Sequence, residues 1–238
     1  MEHAQPRGLN RRRVEKLLLE TQPYHSASSR IEALSRHFLG KPYLVNPLIG
    51  SAERPEVFVA SLDGFDCVTY VETIVALARA SCPDEFSQWL RRIRYKNAQA
   101  EWKHRNHYMT QWIRNNARSG LLRRLSPRDV RMTTKQRVLD IIPKLPPVNA
   151  RFGCVPKPVL RKLIPHLQTG DLIFFSSTRK HLDIFHCGII VRDGDAVRMR
   201  HASRSRGSVV EQELQNFMSA NRMAGVIVMR PTEGDLRF

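Results

Sequence analysis

The chain has 238 residues, enough for one large domain or two small ones, and enough to bury a core without disulfides or metals. Hydrophobic residues make up 42% of it, an ordinary fraction for a globular protein, which excludes disorder on a large scale. The 39 Lys and Arg residues exceed the 22 Asp and Glu residues, so the net charge is +17. Such a charge attracts polyanions, among them nucleic acids, anionic lipids and acidic cell-wall polymers, but a basic surface without a dedicated partner explains it equally well.

The first 61 residues are predicted to contain helices followed by a short strand. The first 20 residues lack the apolar region of a classical signal peptide, and no run of about 18 apolar residues follows, so no membrane span is expected. Residues 11–39 are predicted to be helical because apolar residues recur at helical spacing, with Ser28 or Ser29 capping a second helix. The apolar run EVFVAS at 56–61 predicts a short strand.

The segment VTYVETIVALARA, which ends at about Ala80, is predicted to be a helix with a buried apolar stripe. Cys67 would then lie at or near the N-terminus of that helix. Residues 84–142 are predicted to be mostly helical and strongly basic, with RNHYMTQWIRNN as a helix or an ordered loop. The Pro-rich residues 143–168 predict a surface connection without regular structure in its first half.

From residue 170 onward the pattern changes to antiparallel strands joined by short turns. A helix at about 212–220 is predicted before the last strand. Helices followed by a sheet predict the α+β class. The predicted strands are GDLIFFSS, FHCGIIVRD, AVRMRHAS, GSVVEQEL and GVIVMRP.

Three residues fit the requirements of a cysteine hydrolase, which needs a thiolate, a base and a group that orients the base. A helix N-terminus stabilises both a thiolate and the oxyanion of a tetrahedral intermediate, which fits Cys67. His186 opens one predicted strand, and His201 lies near the end of the next. A hairpin with its turn centred at about residues 193–194 would place the two histidines almost opposite each other, so that one imidazole holds the tautomer of the other.

Taken singly, these residues have ordinary structural explanations. A cysteine before an apolar helix is usually a core residue, and a histidine at the start of a strand is usually on the surface or in the core. Cys82, Cys154 and Cys187 lack the context of Cys67, and the alternation of side chains along a strand predicts Cys187 to be core. The sparse cysteines without a CxxC pair predict neither a zinc site nor a disulfide scaffold, and no cofactor is expected. Glu72 is expected to be solvated or ion-paired.

Several segments resemble the NlpC-type cell-wall peptidases. FDCVTYVE is similar to their nucleophile segment, in which an Asp-Cys pair begins a helix, and FHCGIIV and MRHAS are similar to their histidine strand and the strand of the third polar residue. The similarity is closer to one branch, the N-acetylmuramoyl-L-alanine-amidase-like domains of unknown function, which have a segment resembling RNHYMTQW between the cysteine and the histidines. The shared motifs cover roughly residues 55–112 and 168–231.

This resemblance implies a papain-like α+β fold in which N-terminal helices, including the nucleophile helix, pack on a C-terminal antiparallel sheet. It implies a single hydrolase domain over residues 1–238, with a helical extension at 1–55, a helical and Pro-rich insertion at about 84–165 and the sheet at 168–231. The expected activity is hydrolysis of an amide bond in peptidoglycan stem peptides. Cys67 is then the nucleophile, His186 the general base and acid, and His201 the orienting residue.

The resemblance also implies substrate-binding residues. Asp66 matches the Asp of the nucleophile pair and is expected to help hold a substrate amine, although a helix N-cap explains it equally well. Arg105 and Tyr108 match the middle motif and are expected to bind substrate carboxylates or line the cleft; a solvated helix face is the alternative. Val68 and Thr69 stand where most NlpC-type enzymes have Ser-Gly, which leaves the peptide specificity open.

The expected partners are peptidoglycan or its muropeptides and acidic wall polymers. The expected location is therefore the cell envelope or outside the cell. Because the sequence has no classical signal peptide, the cytoplasm is not excluded. The charge and the arginine clusters at 11–13 and 122–131 also fit a nucleic-acid-binding protein, but no known binding motif accompanies them. A third hypothesis keeps the fold and makes the protein an acyltransferase or an antibacterial effector. The sequence leaves open which bond is cut and the oligomeric state.

Overall fold

A computed structural model describes residues 6–233, and within this part the chain forms seven α-helices and eight β-strands. The predicted α+β class is confirmed, because most of the helices precede a mostly antiparallel sheet. The helices are α1 (Arg11–Thr21), α2 (Ala27–His37), α3 (Cys67–Arg79), α4 (Pro83–Arg94), α5 (Met109–Arg118), α6 (Leu160–Leu163) and α7 (Leu214–Ala220). The strands are β1 (Leu122–Arg124), β2 (Thr133–Leu139), β3 (Val148–Pro156), β4 (Leu172–Ser176), β5 (Ile184–Asp193), β6 (Ala196–Ser203), β7 (Ser208–Glu213) and β8 (Gly225–Pro231).

The described residues divide into two compact units. The first unit contains the chain up to Asn106 and the segment Ala202–Val210, and the second contains His107–His201 and the residues from Glu211 onward. Residues 1–5 and 234–238, which the predicted single domain and its N-terminal extension include, lie outside the described residues. The division into one hydrolase domain with an extension and an insertion stays a prediction.

Helix α3 is the centre of the first unit. Every residue from Thr69 to Ala78 is buried, so the helix is enclosed on all sides and not only along the predicted stripe. Helix α2 holds it at two points, because the Tyr70 hydroxyl donates to the Ser35 carbonyl at 3.0 Å and Arg30 donates to the Ala80 carbonyl at 2.8 Å. These bonds fix the position of the helix that Cys67 begins.

A buried ion pair joins α3 to α4. Arg94 Nε lies 2.7 Å from Glu72 Oε2, and both side chains are almost completely buried. Arg94 also donates to the Val59 carbonyl at 2.6 Å. The expectation of an ion-paired Glu72 is confirmed and that of a solvated Glu72 is wrong, because α4 and residue 59 enclose the carboxylate.

The sheet has the strand order β2-β3-β8-β4-β5-β6-β7, with β1 pairing with β8. All five strands predicted after residue 170 are present, and β4 to β7 are neighbours in chain order, as a meander requires. One face of the sheet in the second unit packs on an apolar cluster that includes Leu163, Ile190, Phe217 and Val228. This cluster fixes α7 against β4 and β5.

The middle of the chain differs from the prediction. Residues 84–142 are not mostly helical beyond Arg118, since β1 and β2 lie there, and the Pro-rich stretch contains β3. The prolines at 143, 146 and 147 lie in the loop that joins β2 to β3, where a missing N–H breaks no ladder. Pro156 ends β3, so the prolines border the hairpin and do not prevent it.

Two local predictions are also corrected. The run at 56–61 forms isolated bridges at Val57 and Val59 and no strand. Helix α2 is capped by Ser26, whose hydroxyl accepts from the Ser29 N–H, and not by Ser28 or Ser29. No α-helix within residues 6–233 combines the length and the apolar character needed to cross a bilayer.

Candidate active site

Cys67 is the first residue of α3, as the sequence predicts. Asp66 is the N-cap: its Oδ1 accepts from the Thr69 N–H at 2.7 Å and from the Thr69 hydroxyl at 2.8 Å. The Asp66 N–H donates in turn to Thr69 Oγ1 at 3.0 Å, which completes a capping box. The alternative role of Asp66 as a helix cap is therefore present in the structure, and it fixes where Cys67 lies on the first turn.

The position of Cys67 suits a nucleophile. The N–H groups of a first helical turn and the macrodipole favour negative charge, which stabilises a thiolate and an oxyanion. All four cysteines lie in the described part of the chain and carry no disulfide; Cys67 and Cys82 are half-buried, whereas Cys154 and Cys187 are buried. Cys82 precedes α4, but Pro83 at the first helical position removes an N–H there. Cys67 is thus the cysteine whose surroundings best favour a reactive thiolate.

Asp66 has unusual electrostatics for a helix cap. Burial, and after it the negative charge of Cys67, raises the pKa of Asp66 to about 6, although the hydrogen bonds from Thr69 oppose the shift. Asp66 and a Cys67 thiolate therefore repel each other near neutral pH, and protonation of Asp66 below about pH 6 relieves the repulsion.

The two histidines meet in the second unit. Strands β5 and β6 form the predicted antiparallel hairpin, and His186 Nε2 lies 2.7 Å from His201 Nδ1. The rings are nearly perpendicular, at 87°, with centroids 4.7 Å apart. A nitrogen-to-nitrogen hydrogen bond in this orientation lets one ring hold the other, as the sequence predicts.

The register of the hairpin corrects the predicted opposition of the histidines. Asp193 pairs with Ala196 across a two-residue turn whose Gly194 has φ +55°, so the turn is centred one residue later than predicted. Ile189 faces Arg200, and the same register continued brings His201 diagonal to His186. Diagonal neighbours on one face of a sheet remain within reach of long side chains, which is why the rings still meet.

His201 is held neutral. Its side chain is 2% exposed. Burial, and after it the nearby charge of His186, lowers the pKa of His201 to about 3, although a hydrogen bond with the Gln212 side chain acts in the opposite direction. When His186 carries a proton on each nitrogen, its Nε2 must donate and His201 Nδ1 must accept. The proton of the neutral His201 then sits on its buried Nε2, and Nδ1 of His186 is the imidazole nitrogen that takes no part in the bond between the two rings.

Aromatic rings fix the orientation of His186. Phe217 of α7 stacks on the imidazole with centroids 5.2 Å apart and 27° between the planes, and Phe175 of β4 lies on it at 6.3 Å and 24°. Phe217 also meets His201 edge-on at 5.5 Å. Sequence reasoning missed both phenylalanines, because their contacts depend on the register of β4 and on the packing of α7.

Asp183, which the sequence analysis also missed, anchors the segment that leads into β5. It is 1% exposed, and its Oδ2 accepts from both the N–H and the hydroxyl of Thr110, each at 2.7 Å. Its Oδ1 accepts from the Ile184 N–H at 2.7 Å. These bonds tie the start of the histidine strand to the first turn of α5.

Arg105 and Tyr108 are not on a solvated helix face. Arg105 Nη1 lies 3.4 Å from Glu56 Oε1, and its Nη2 donates to the Gly50 carbonyl at 3.3 Å. Tyr108 is 3% exposed, and its hydroxyl accepts from the Ile142 N–H at 3.3 Å. Both residues therefore have structural contacts, and their role in binding substrate stays a prediction. No group of three or more His, Cys, Asp and Glu side chains within residues 6–233 is placed to hold a metal ion.

The capped helix that begins at Cys67 and the hydrogen-bonded pair of His186 and His201 are the candidate functional groups of the two units. The model of the AmiA-like family, described as N-acetylmuramoyl-L-alanine amidase-like, matches residues 33–226. This match spans most of the chain, including the cysteine helix and both histidines. The chain therefore belongs to the AmiA-like family.

Solved structures show that the fold is shared. A Legionella pneumophila protein superposes with a TM-score of 0.81 at 22% identity, and the match covers 93% of this chain and 94% of that chain. An N-acetylmuramoyl-L-alanine amidase from Bacteroides uniformis superposes with a TM-score of 0.76 at 23% identity, over 87% of this chain and 99% of that chain. Identities this low establish the fold alone. No curated protein matches the chain significantly.

Proposed function

We propose that the protein is a cysteine amidase that hydrolyses an amide bond in peptidoglycan stem peptides, with Cys67 as nucleophile, His186 as general base and acid, and His201 as the orienting residue. The observation that carries the proposal is the 2.7 Å bond between His186 Nε2 and His201 Nδ1, which leaves Nδ1 of His186 as the working atom. Membership of the AmiA-like family supports the amidase class and peptidoglycan as the substrate.

Each proposed group would perform one task. A thiolate on Cys67 attacks the amide carbonyl carbon, and N–H groups at the start of α3 stabilise the resulting oxyanion. Collapse of the tetrahedral intermediate breaks the C–N bond, and His186 donates its Nδ1 proton to the leaving amine. Water then attacks the thioester while His186 Nδ1 takes one of its protons. Collapse of the second tetrahedral intermediate breaks the C–S bond, which releases the carboxylic acid and restores the Cys67 thiolate and the protonated His186.

The finer parts of the proposal follow from the same resemblance. We propose that the fold is the papain-like arrangement of the NlpC type. Asp66, Arg105 and Tyr108 are proposed to contact the substrate, and the excess of basic residues would favour acidic wall polymers. Because peptidoglycan is the proposed substrate, we propose the cell envelope or the outside of the cell as the place of action.

Digestion of purified sacculi by the full chain tests this function. Mass analysis of the released fragments identifies the bond: the muramoyl-to-alanine, γ-glutamyl and cross-link bonds give products of different mass. Activity should be lost after alkylation with iodoacetamide and retained in EDTA, because the proposed chemistry uses a thiolate. Activity that survives alkylation and disappears with EDTA would refute the cysteine mechanism while keeping the amidase. Undigested sacculi together with salt-resistant nucleic-acid binding would favour the alternative of a nucleic-acid-binding protein.

A further inference from the structure

A cavity in the second unit is lined in part by α7. Its volume is about 330 Å³, and it lies between the segment that begins at Lys157 and helix α7. This is at the small end of the range of about 300–1,000 Å³ typical of ligand sites. The cavity at α7 is lined by Lys157, Pro158, Leu160, Arg161, Gln215, Met218 and Ser219.

The lining of this cavity combines positive charge with an apolar surface. Lys157 Nζ donates to the Asn221 carbonyl at 2.9 Å, and neither Lys157 nor Arg161 has an ion-pair partner within residues 6–233. Leu160 and Met218 are buried, whereas Lys157 and Arg161 are exposed at the edge of the cavity. A ligand that carries a negatively charged oxygen on a short apolar group would suit this lining. Its charge would pair with the two cations, and its apolar part would contact the small apolar surface.

The cavity and the histidine pair share one helix. Gln215, Met218 and Ser219 follow helical spacing along one side of α7 and line the cavity, whereas Phe217 stacks on the His186 ring at 5.2 Å. A ligand in the cavity would therefore contact the same helix whose Phe217 stacks on His186.

We propose that this cavity is a binding site for a small carboxylate-bearing molecule with a short apolar group, in which Lys157 and Arg161 bind the carboxylate and Leu160 and Met218 contact the apolar part. Guanidinium and ammonium donors supply charge-assisted hydrogen bonds, and arginine presents two parallel donors that suit a carboxylate. None of the lining residues is a proposed catalytic residue, so ligand binding here can be measured whether or not the chain hydrolyses peptidoglycan.

Titration of the isotope-labelled full chain, observed by amide NMR, tests the proposal with N-acetylalanine as the probe. The amide signals of residues 215–219 should shift and saturate, with a dissociation constant on the order of millimolar for a partly exposed site. N-acetylalaninamide, which lacks the carboxylate, should bind at least about tenfold more weakly, the loss expected for one charge-assisted hydrogen bond. Inorganic phosphate should also bind more weakly, because it has no apolar part. Equal binding of either control compound would overturn the proposed ligand class.

Matched variants locate the site. Arg161→Gln should weaken N-acetylalanine binding by about five- to tenfold, and Lys157→Gln should weaken it as well. Lys162→Gln removes the same charge from the neighbouring residue, which does not line the cavity, and should change the affinity less than about twofold. An equal loss in Lys162→Gln would mean general electrostatic attraction and would overturn the site.

Discussion

Replacement of His201 by Gln should remove a pH dependence of stability that the protein carries. Burial and the charge of His186 lower the pKa of His201 from an ordinary value of 6.5 to about 3. The unfolded chain therefore binds a proton on this ring as the pH falls below 6.5, whereas the folded chain does so only near pH 3. The stability contributed by a neutral His201 is complete above pH 6.5 and is lost as the pH falls, by about 3 kcal/mol between pH 7 and pH 4.

Asp66 opposes this effect in the same pH range. Its pKa is raised from 3.8 to about 6, so the folded chain binds a proton more readily than the unfolded chain. Lowering the pH from 7 to 4 therefore stabilises the folded protein by about 2 kcal/mol through Asp66. The two contributions partly cancel in the unaltered protein, so each is measured as the difference between the unaltered protein and the variant that lacks that group.

Urea denaturation at several pH values between 4 and 7 measures both contributions. Relative to the unaltered protein, His201→Gln should gain about 3 kcal/mol in its free energy of unfolding as the pH falls from 7 to 4. Asp66→Asn, which keeps an N-cap acceptor, should lose about 2 kcal/mol over the same range. Profiles of both variants that run parallel to that of the unaltered protein would refute the reasoning, because the two groups would then titrate as they do in the unfolded chain.

Two further predictions concern the supports of the proposed catalytic groups. Glu72→Leu should lower the free energy of unfolding by about 3–5 kcal/mol, because it leaves the Arg94 charge buried and unpaired. The double variant with Arg94→Leu should recover most of this loss. Urea denaturation measures both variants, and a single variant as stable as the unaltered protein would contradict the role of the ion pair. Gly188→Ala should destabilise by about 1–3 kcal/mol and lower the activity, since its Cβ would lie 2.9 Å from the Arg200 carbonyl across the hairpin. Gly153→Ala is the control, because the atom nearest to its Cβ would be the end of the flexible Met132 side chain at 3.1 Å and the nearest backbone atom would lie 3.8 Å away. Equal losses in both variants would argue against the hairpin as the cause.

The parts of the fold that local patterns determine could be predicted from the sequence. The apolar spacing after Cys67 predicts α3, and the β-branched segments after residue 170 predict β4 to β8. Predictions that depend on the register between two strands are less accurate. The turn at Gly194 is centred one residue later than predicted, which moves the residue opposite His186 on β6 by two positions. The β2–β3 hairpin was missed because its strands are basic and bordered by prolines, so their β character depends on pairing with each other.

The candidate site shows the same limit. Cys67 at a helix start and the meeting of His186 with His201 follow from local signals, since the hairpin joins neighbouring segments. The stacking of Phe217 and the bonds from Thr110 to Asp183 join residues far apart in the chain, and no local pattern marks such partners. The contacts that hold His186, the proposed base, therefore become visible only in the folded chain.

Replacement of Cys67 by Ala is the most direct test of the central proposal. Cys82→Ala is the matched control, because Cys82 is also half-buried and precedes a helix, but one whose first residue is Pro83. With purified sacculi, Cys67→Ala should release no detectable fragments, whereas Cys82→Ala should digest them at nearly the rate of the unaltered protein. Digestion by folded Cys67→Ala at the rate of the unaltered protein would contradict the assignment of the nucleophile.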